Sequence, residues 1–168
     1  MVSLTHLESL LPELRAYGRT ICAREENAED LVQDAIERAM RSDNRPTTRR
    51  ELRPWMFRVI RNLRYDELRK RRVRREYLAA EKRLLDITEG QFDTAGDVLV
   101  RLAYEKLPPE TREVLLLVDI FGLKYSEAAK VMDVPVGTIM SRISRARRAL
   151  LALVDDGASP ASRATRKK

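Results

Sequence analysis

Apolar residues recur at helical spacing wherever the chain shows a period, and no alternating Val/Ile/Thr-rich run argues for a sheet. The pattern predicts an opening helix from about Leu4 to Cys22, in which Pro12 is tolerated only as a break or in the first turn of a second piece. The next start is sharper. Asn27 stands as a cap before the apolar series Ala28, Leu31, Val32, Ala35, Ile36 and Ala39, with Asp30 three residues on to complement the helix dipole. That helix is expected to end near Arg41. Ser42 to Arg50 holds Asp, Asn, Pro and two Thr but no apolar residue, which is loop composition, and Pro54 suits the first turn of a long helix to about Arg75.

Beyond Arg75 some helical potential persists to Leu85, until Thr88, Gly90, Thr94 and Gly96 break the pattern, so the linker is placed within residues 76–97. Pro108 and Pro109 then open a helix, Glu110 to Asp119, whose Val114, Leu115, Leu117 and Val118 supply core, and Gly122 ends it. Ser126 is read as the cap of a short helix, Glu127 to Met132, followed by the tight connection Asp133-Val134-Pro135 and a new helix near Val136 to Thr138. Two short helices joined this tightly are a helix-turn-helix. The predicted fold class is all-α: two small helical domains, residues 1–75 and 98–154, joined by a flexible linker, with a disordered basic tail over 155–168.

Composition and charge narrow the function. With 168 residues and 43% hydrophobic content the chain can bury a core or two, which argues against full disorder. Lysine and arginine number 33 against 26 acidic residues, a net +7, so a polyanionic partner is expected. The excess is local. Residues 1–40 hold 4 basic and 8 acidic side chains, residues 41–75 hold 14 and 4, and residues 138–154 hold four arginines and no acid. Two basic elements separated by an acidic stretch imply two nucleic-acid contacts on two modules. One cysteine and one histidine leave no disulfide framework and too few ligands for structural zinc, and Cys22, in apolar surroundings, reads as a buried thiol. No run approaches a membrane span and Met1 to Leu11 lacks a basic region before an apolar one, so a cytoplasmic protein is expected. No glycine-rich phosphate loop and no nucleophile-base pair is present, so neither a catalytic residue nor a cofactor is expected.

At 100° per residue each strong helix offers a distinct outer face. Opposite the Ala28 to Ala39 stripe lie Asp30, Asp34 and Glu37, flanked by Gln33 and Arg41; this is a docking surface for a basic helix or an ordinary solvated face. On the next helix Trp55, Met56, Val59, Ile60 and Leu63 point inward, while Arg58, Arg61, Tyr65, Arg69 and Arg72 point outward and suit a DNA backbone with unstacked bases. The last helix buries Ile139, Ile143, Ala146, Leu150 and Leu153. Its outer face carries Thr138, Ser141, Ser144, Arg145 and Arg148, with Arg142 and Arg147 at the flanks, groups suited to phosphates and to guanine in the major groove.

The string Tyr125-Ser-Glu-Ala-Ala-Lys-Val-Met-Asp-Val-Pro-Val-Gly-Thr-Ile-Met-Ser-Arg-Ile-Ser-Arg-Ala-Arg-Arg148, preceded by Leu107-Pro-Pro-Glu-Thr-Arg-Glu-Val114, resembles the minus-35-binding domain of extracytoplasmic-function sigma factors of the bacterial sigma-70 class. Ala28-Glu-Asp-Leu-Val-Gln-Asp-Ala35 is similar to that family's core-polymerase-binding helix, and Leu52-Arg-Pro-Trp-Met-Phe-Arg-Val-Ile-Arg-Asn-Leu-Arg-Tyr-Asp66 to its minus-ten helix. The resemblance spans about residues 5–154. It implies two helical domains, core RNA polymerase and promoter DNA as partners, and an inhibitory anti-sigma factor. Asp30, Gln33, Asp34 and Glu37 would then meet the beta-prime clamp. The loop Ser42 to Arg50 would cup an unstacked base, and Arg58, Arg61, Asn62, Tyr65 and Arg69 would hold the non-template strand. Thr138, Ser141, Arg142, Arg145 and Arg148 would grip or read the minus-35 duplex. Two positions depart from the pattern: Asp133 stands where many such turns have Gly, and Met140 where relatives often have a basic residue.

A second class uses the same helix-turn-helix. A stand-alone regulator with a sensory or dimerising N-terminal half would bind paired duplex half-sites without polymerase. The basic face over 58–72 argues against it.

Overall fold

The computed structural model describes residues 4–22, 25–77 and 95–158. Seven α-helices make up this part of the chain: α1 Leu4–Ile21, α2 Glu25–Arg41, α3 Arg49–Tyr77, α4 Ala95–Glu105, α5 Pro109–Leu115, α6 Tyr125–Met132 and α7 Val136–Ala158, with a π-helical turn Leu116–Ile120 continuing α5. No strand occurs among the described residues.

Helices α1 to α3 form the first domain. Leu7, Leu10, Leu14 and Tyr17 bury one stripe of α1 against Ala28, Leu31, Val32, Ala35 and Ala39 of α2 and Leu52, Met56, Phe57 and Ile60 of α3. This packing outweighs Pro12, which lies on the exposed side of an uninterrupted α1 rather than breaking it. Gly18 makes the closest approach of α1 to α2. A Cβ there would stand 3.1 Å from Val32 Cγ2 and 3.3 Å from the Ala28 carbonyl oxygen.

Several predicted boundaries shift. Helix α2 starts at Glu25, so Asn27 is inside its first turn and is not the cap. Helix α3 starts at Arg49, which shortens the predicted loop and leaves Pro54 in the sixth position rather than the first turn. The start is set by Thr48 and Glu51: the Glu51 N–H donates to Thr48 Oγ1 at 3.4 Å and the Thr48 hydroxyl to Glu51 Oε2 at 2.9 Å, half of a capping box. In the same way Glu127 accepts the Lys124 backbone N–H at 2.9 Å, so α6 begins at Tyr125 and Ser126 is not its cap.

The second domain stacks α4 on α7 and α6 on α7 around Val114, Leu115, Leu117, Val131, Met132, Ile139 and Ile143. Gly122 takes φ +66°, where a side chain would be strained, and ends the π-helical turn. Asp133 takes φ 54° and ψ 51°, the left-handed conformation expected at that turn, and the Val134 N–H closes onto the Ala129 carbonyl at 3.1 Å. Helix α7 runs to Ala158, beyond the predicted end at Val154, so residues 155–158 are helical and not tail. Residues 76–77 and 95–97, expected to be linker, belong instead to α3 and α4, and the remainder of the predicted linker, 78–94, and of the tail, 159–168, lies outside the described residues.

The two domains pack on each other, with α3 against α6 and α1 against α5. Phe57 of α3 stacks on Phe121 at 5.1 Å with an interplanar angle of 5°, and Tyr17 tilts onto Phe57 at 5.0 Å. Arg53 spans the joint. Its Nε donates to Glu13 Oε2 at 2.5 Å and its Nη2 to the Phe121 carbonyl at 2.6 Å.

Candidate nucleic-acid interface

Three surfaces carry the predicted residues. On α2 the stripe Ala28, Leu31, Val32, Ala35 and Ala39 is buried, and Asp30, Gln33, Asp34 and Glu37 are all exposed on the opposite side, as the wheel requires. Glu37 has an i,i+4 partner in Arg41 at 3.4 Å, a contact between exposed groups that leaves the carboxylate accessible.

On α3 the inward stripe holds, with Met56 and Ile60 fully buried and Trp55, Val59 and Leu63 half-buried. Arg58, Asn62, Tyr65 and Arg69 face outward. Arg61 does not. Its side chain is 13% exposed, turned into the joint between the domains, where Nε donates to Glu113 Oε1 at 2.9 Å. Its guanidinium lies over the Tyr65 ring at 4.3 Å, a cation–π contact. Burial pulls the Arg61 pKa down, but the Glu113 carboxylate together with Tyr65 and Tyr17 offsets it and the net shift is upward.

The high arginine count on α3 is therefore only partly a DNA signal. Arg53 holds the joint, and Arg64, buried, donates from Nε to the Ile21 carbonyl at 3.2 Å, satisfying an orphan acceptor at the end of α1. Both fall on the apolar stripe that runs through Met56, Phe57 and Ile60, and that register is the sequence signal that marks them. In the preceding loop Arg45 Nη1 donates to the Ala39 carbonyl at 2.9 Å, so this charge closes the end of α2 and is not free in the loop.

On α7, Ile139, Ile143 and Ala146 are buried and Ser141, Arg145 and Arg148 exposed; Thr138 and Arg142 are half-buried. Ser141 Oγ donates to the Thr138 carbonyl at 3.0 Å, and Arg145 folds along the helix, with Nε 3.2 Å from the Ser141 carbonyl and Nη2 3.4 Å from Ser141 Oγ. The guanidinium is thus held towards the N-terminal turns, the end that enters a major groove in a helix-turn-helix. Arg142 pairs with Glu110 at 3.7 Å. Arg147 forms a two-point pair with Asp119, Nε to Oδ2 at 3.0 Å and Nη2 to Oδ1 at 2.5 Å, which raises its pKa and ties α7 to the π-helical turn. Val136 and Met140 add exposed apolar surface beside these polar groups.

Two residues of the joint were not singled out from the sequence as site residues. Glu113, 2% exposed in its side chain, accepts the Tyr17 hydroxyl at 2.7 Å as well as Arg61. Burial, and after it the Glu113 carboxylate, raise the Tyr17 pKa well above its ordinary value. Cys22 is half-buried, and burial raises its pKa, which agrees with an unreactive thiol. Among the described residues no cluster of three His, Cys, Asp or Glu could hold a metal, and no helix is long and apolar enough to cross a membrane.

Comparison with known proteins gives these surfaces a setting. Residues 6–74 match Sigma-70 region 2 and residues 97–150 match Sigma-70, region 4. The ECF RNA polymerase sigma factor EcfG of Rhodopseudomonas palustris is 37% identical over 147 residues, covering 86% of this chain and 80% of that protein. SigC of Mycobacterium tuberculosis is 36% identical, covering 75% of this chain and 69% of its own. Among solved structures, the sigma factor RpoE of Bartonella quintana, in complex with the anti-sigma factor NepR, superposes with a TM-score of 0.68 at 29% identity, covering 90% of this chain and 95% of that one. CnrH in complex with the cytosolic domain of CnrY gives a TM-score of 0.57 at 29% identity, covering 89% and 85%.

Proposed function

The chain belongs to the extracytoplasmic-function sigma factors of the sigma-70 class, non-enzymatic subunits for promoter recognition and transcription initiation, and from that premise we propose how its surfaces divide the work. Asp30, Gln33, Asp34 and Glu37 dock on the basic coiled coil of the polymerase beta-prime clamp, where opposite charge steers association and fixes register. Arg58, Asn62, Tyr65, Arg69 and Arg61 hold the non-template minus-ten strand. Capture of flipped bases then drives strand separation without nucleotide hydrolysis. Thr138, Ser141, Arg142, Arg145 and Arg148 engage the minus-35 duplex, Arg145 by a base edge and the others by phosphates.

The working units are helices α1 to α3 and helices α4 to α7, and they separate to span both elements. An anti-sigma factor restrains the chain, as NepR and CnrY are bound to the two sigma factors of similar structure. The setting is the cytoplasm, with polymerase and promoter.

The observation that carries this reading is the segregation of charge by helix: four exposed polar residues in register on α2, three of them acidic, against basic outer faces on α3 and α7. Reversing Asp34 and Glu37 to lysine tests it. Both are exposed, so the fold survives, while like charge faces the clamp. Core-polymerase affinity and transcription from genomic promoter fragments should both collapse, and duplex binding by α7 should persist. Unchanged affinity for core polymerase would reduce the α2 face to a solvated surface.

A further inference from the structure

Glu113 sits among buried apolar neighbours on α5, and both donors to its Oε1 come from the other domain: the Tyr17 hydroxyl on α1 and Arg61 Nε on α3. A carboxylate withdrawn from water at this depth is tolerated because those donors replace the lost hydration. They do so only while the domains are together. Separation returns all three groups to water and leaves Tyr17 and Arg61 side by side on the first domain, both aimed at the same vacated position.

Resting on the assignment of Arg61 to the minus-ten strand, we propose that Tyr17 and Arg61 form a site for a backbone phosphate of that strand, and that Glu113 fills the site from within the chain and thereby holds the two domains closed. A phosphate oxygen and a carboxylate oxygen are both anionic acceptors of short charge-assisted hydrogen bonds, so donors set for one serve the other. The fit is exclusive. With its side chain 13% exposed beneath α5, Arg61 reaches no strand until Glu113 leaves.

Spacing makes the same demand. Elements that lie about 25 base pairs apart, as minus ten and minus 35 do, are separated by roughly 85 Å at about 3.4 Å per base pair. Here Glu113 binds Arg61 while Glu110, one turn away on the same helix, binds Arg142 at 3.7 Å. Both DNA faces therefore converge on one turn of α5, an arrangement that no extended promoter can satisfy. The face of α2 stays exposed throughout, so polymerase can dock on the closed chain before the DNA surfaces part. Any partner that binds only the separated domains draws the equilibrium open.

The full-length chain tests this with two readouts, the radius of gyration from small-angle scattering and the affinity for a fluorescein-labelled, mixed-sequence single-stranded DNA. Glu113→Gln keeps the shape and removes the charge. The radius should grow and the strand should bind about tenfold tighter, the equivalent of one charge-assisted pair. In the Glu113→Gln background, Tyr17→Phe should lose several-fold in strand affinity with no further change in radius. An unchanged radius and affinity for Glu113→Gln would overturn the internal plug. A larger radius with unchanged affinity would overturn the shared site. If Arg61→Ala in the opened background leaves binding intact, the assignment of Arg61 to the strand fails instead, and the radius still reports the closure. Should Glu113→Gln lose helical ellipticity, Tyr17→Phe in the otherwise native chain supplies the comparison, with expansion expected and an unchanged radius counting against the clasp.

Discussion

Replacing Gly18 by alanine sets two effects of known sign against each other. Inside an α-helix Gly→Ala gains up to about 1 kcal/mol in propensity, and at Gly18, in the last turn of α1, a chain read only for local preference is stabilised by it. The structure opposes that gain. The new methyl would stand 3.1 Å from Val32 Cγ2 and 3.3 Å from the Ala28 carbonyl oxygen, inside the separation of about 3.5 Å at which carbon contacts become favourable. Val32 is 2% exposed and β-branched, so it has no spare rotamer, and the Ala28 oxygen moves only if α2 moves. Overpacking of this kind costs about 1–3 kcal/mol, so a net loss of about 1 kcal/mol is expected. Urea denaturation of the wild type, Gly18→Ala, Val32→Ala and the double variant measures it. Removing the Val32 methyls relieves one of the two clashes, so the double variant should be more stable than the sum of the single changes by about 0.5 kcal/mol or more. A Gly18→Ala protein more stable than wild type by the propensity increment would refute the close approach. Because α1 sets the pose of α2, the same variant should also weaken core-polymerase binding without touching the docking face.

Arg145→Ala should cost about 1–3 kcal/mol of minus-35 binding and relax preference at one base pair, checked on a panel of single-base promoter variants; a uniform loss would mean a phosphate contact, and no loss would remove Arg145 from the interface. At alkaline pH, burial pushes the Tyr104 hydroxyl up to about 12, while its hydroxyl donates to the Arg112 carbonyl at 2.9 Å. Between the ordinary tyrosine value of about 10 and that raised value the native state holds a proton the unfolded chain has released, so stability falls as pH rises through this window. Tyr104→Phe should flatten that slope in denaturation curves taken across the window, and an unchanged slope would assign it to other groups.

What was legible in the sequence follows from what a period encodes. A helical stripe states which side faces a core, and the stripes of α2, α3 and α7 do face it, although Ile36, Trp55, Val59, Leu63, Leu150 and Leu153 at its margin are only half-buried. The outer residues of α2 and α7 follow by subtraction. The turn was legible for a different reason: Asp133 stands between two helices with no room for more chain, and the left-handed conformation it adopts is one its short polar side chain tolerates. Helix starts were less legible. Thr48 and Glu51 make a stronger start signal than Pro54, and Glu127 a stronger one than Ser126, because a reciprocal side-chain bond fixes a boundary that composition only suggests.

The joint between the domains was hidden by the same logic. A wheel assigns each residue one direction relative to its own helix and says nothing of a second domain that covers the outer face. Arg61, outward on α3 by angle, is turned into that joint by α5, and Glu113, acidic within an apolar run, has no local partner that would explain it. A carboxylate at a core register position carries a demand for donors, and that demand is visible in one sequence even though the donors are not. The residues that answer it come from 96 and 52 positions away. Arg53 shows the same feature from the other side, a cation on an apolar stripe whose acceptors are Glu13 and the Phe121 carbonyl. Of the charged residues in register with a hydrophobic stripe, Arg64 closes the end of α1 inside its own domain, whereas Arg53 and Glu113 mark where one domain meets the other, beside the helix that the proposed minus-ten contact requires to be uncovered.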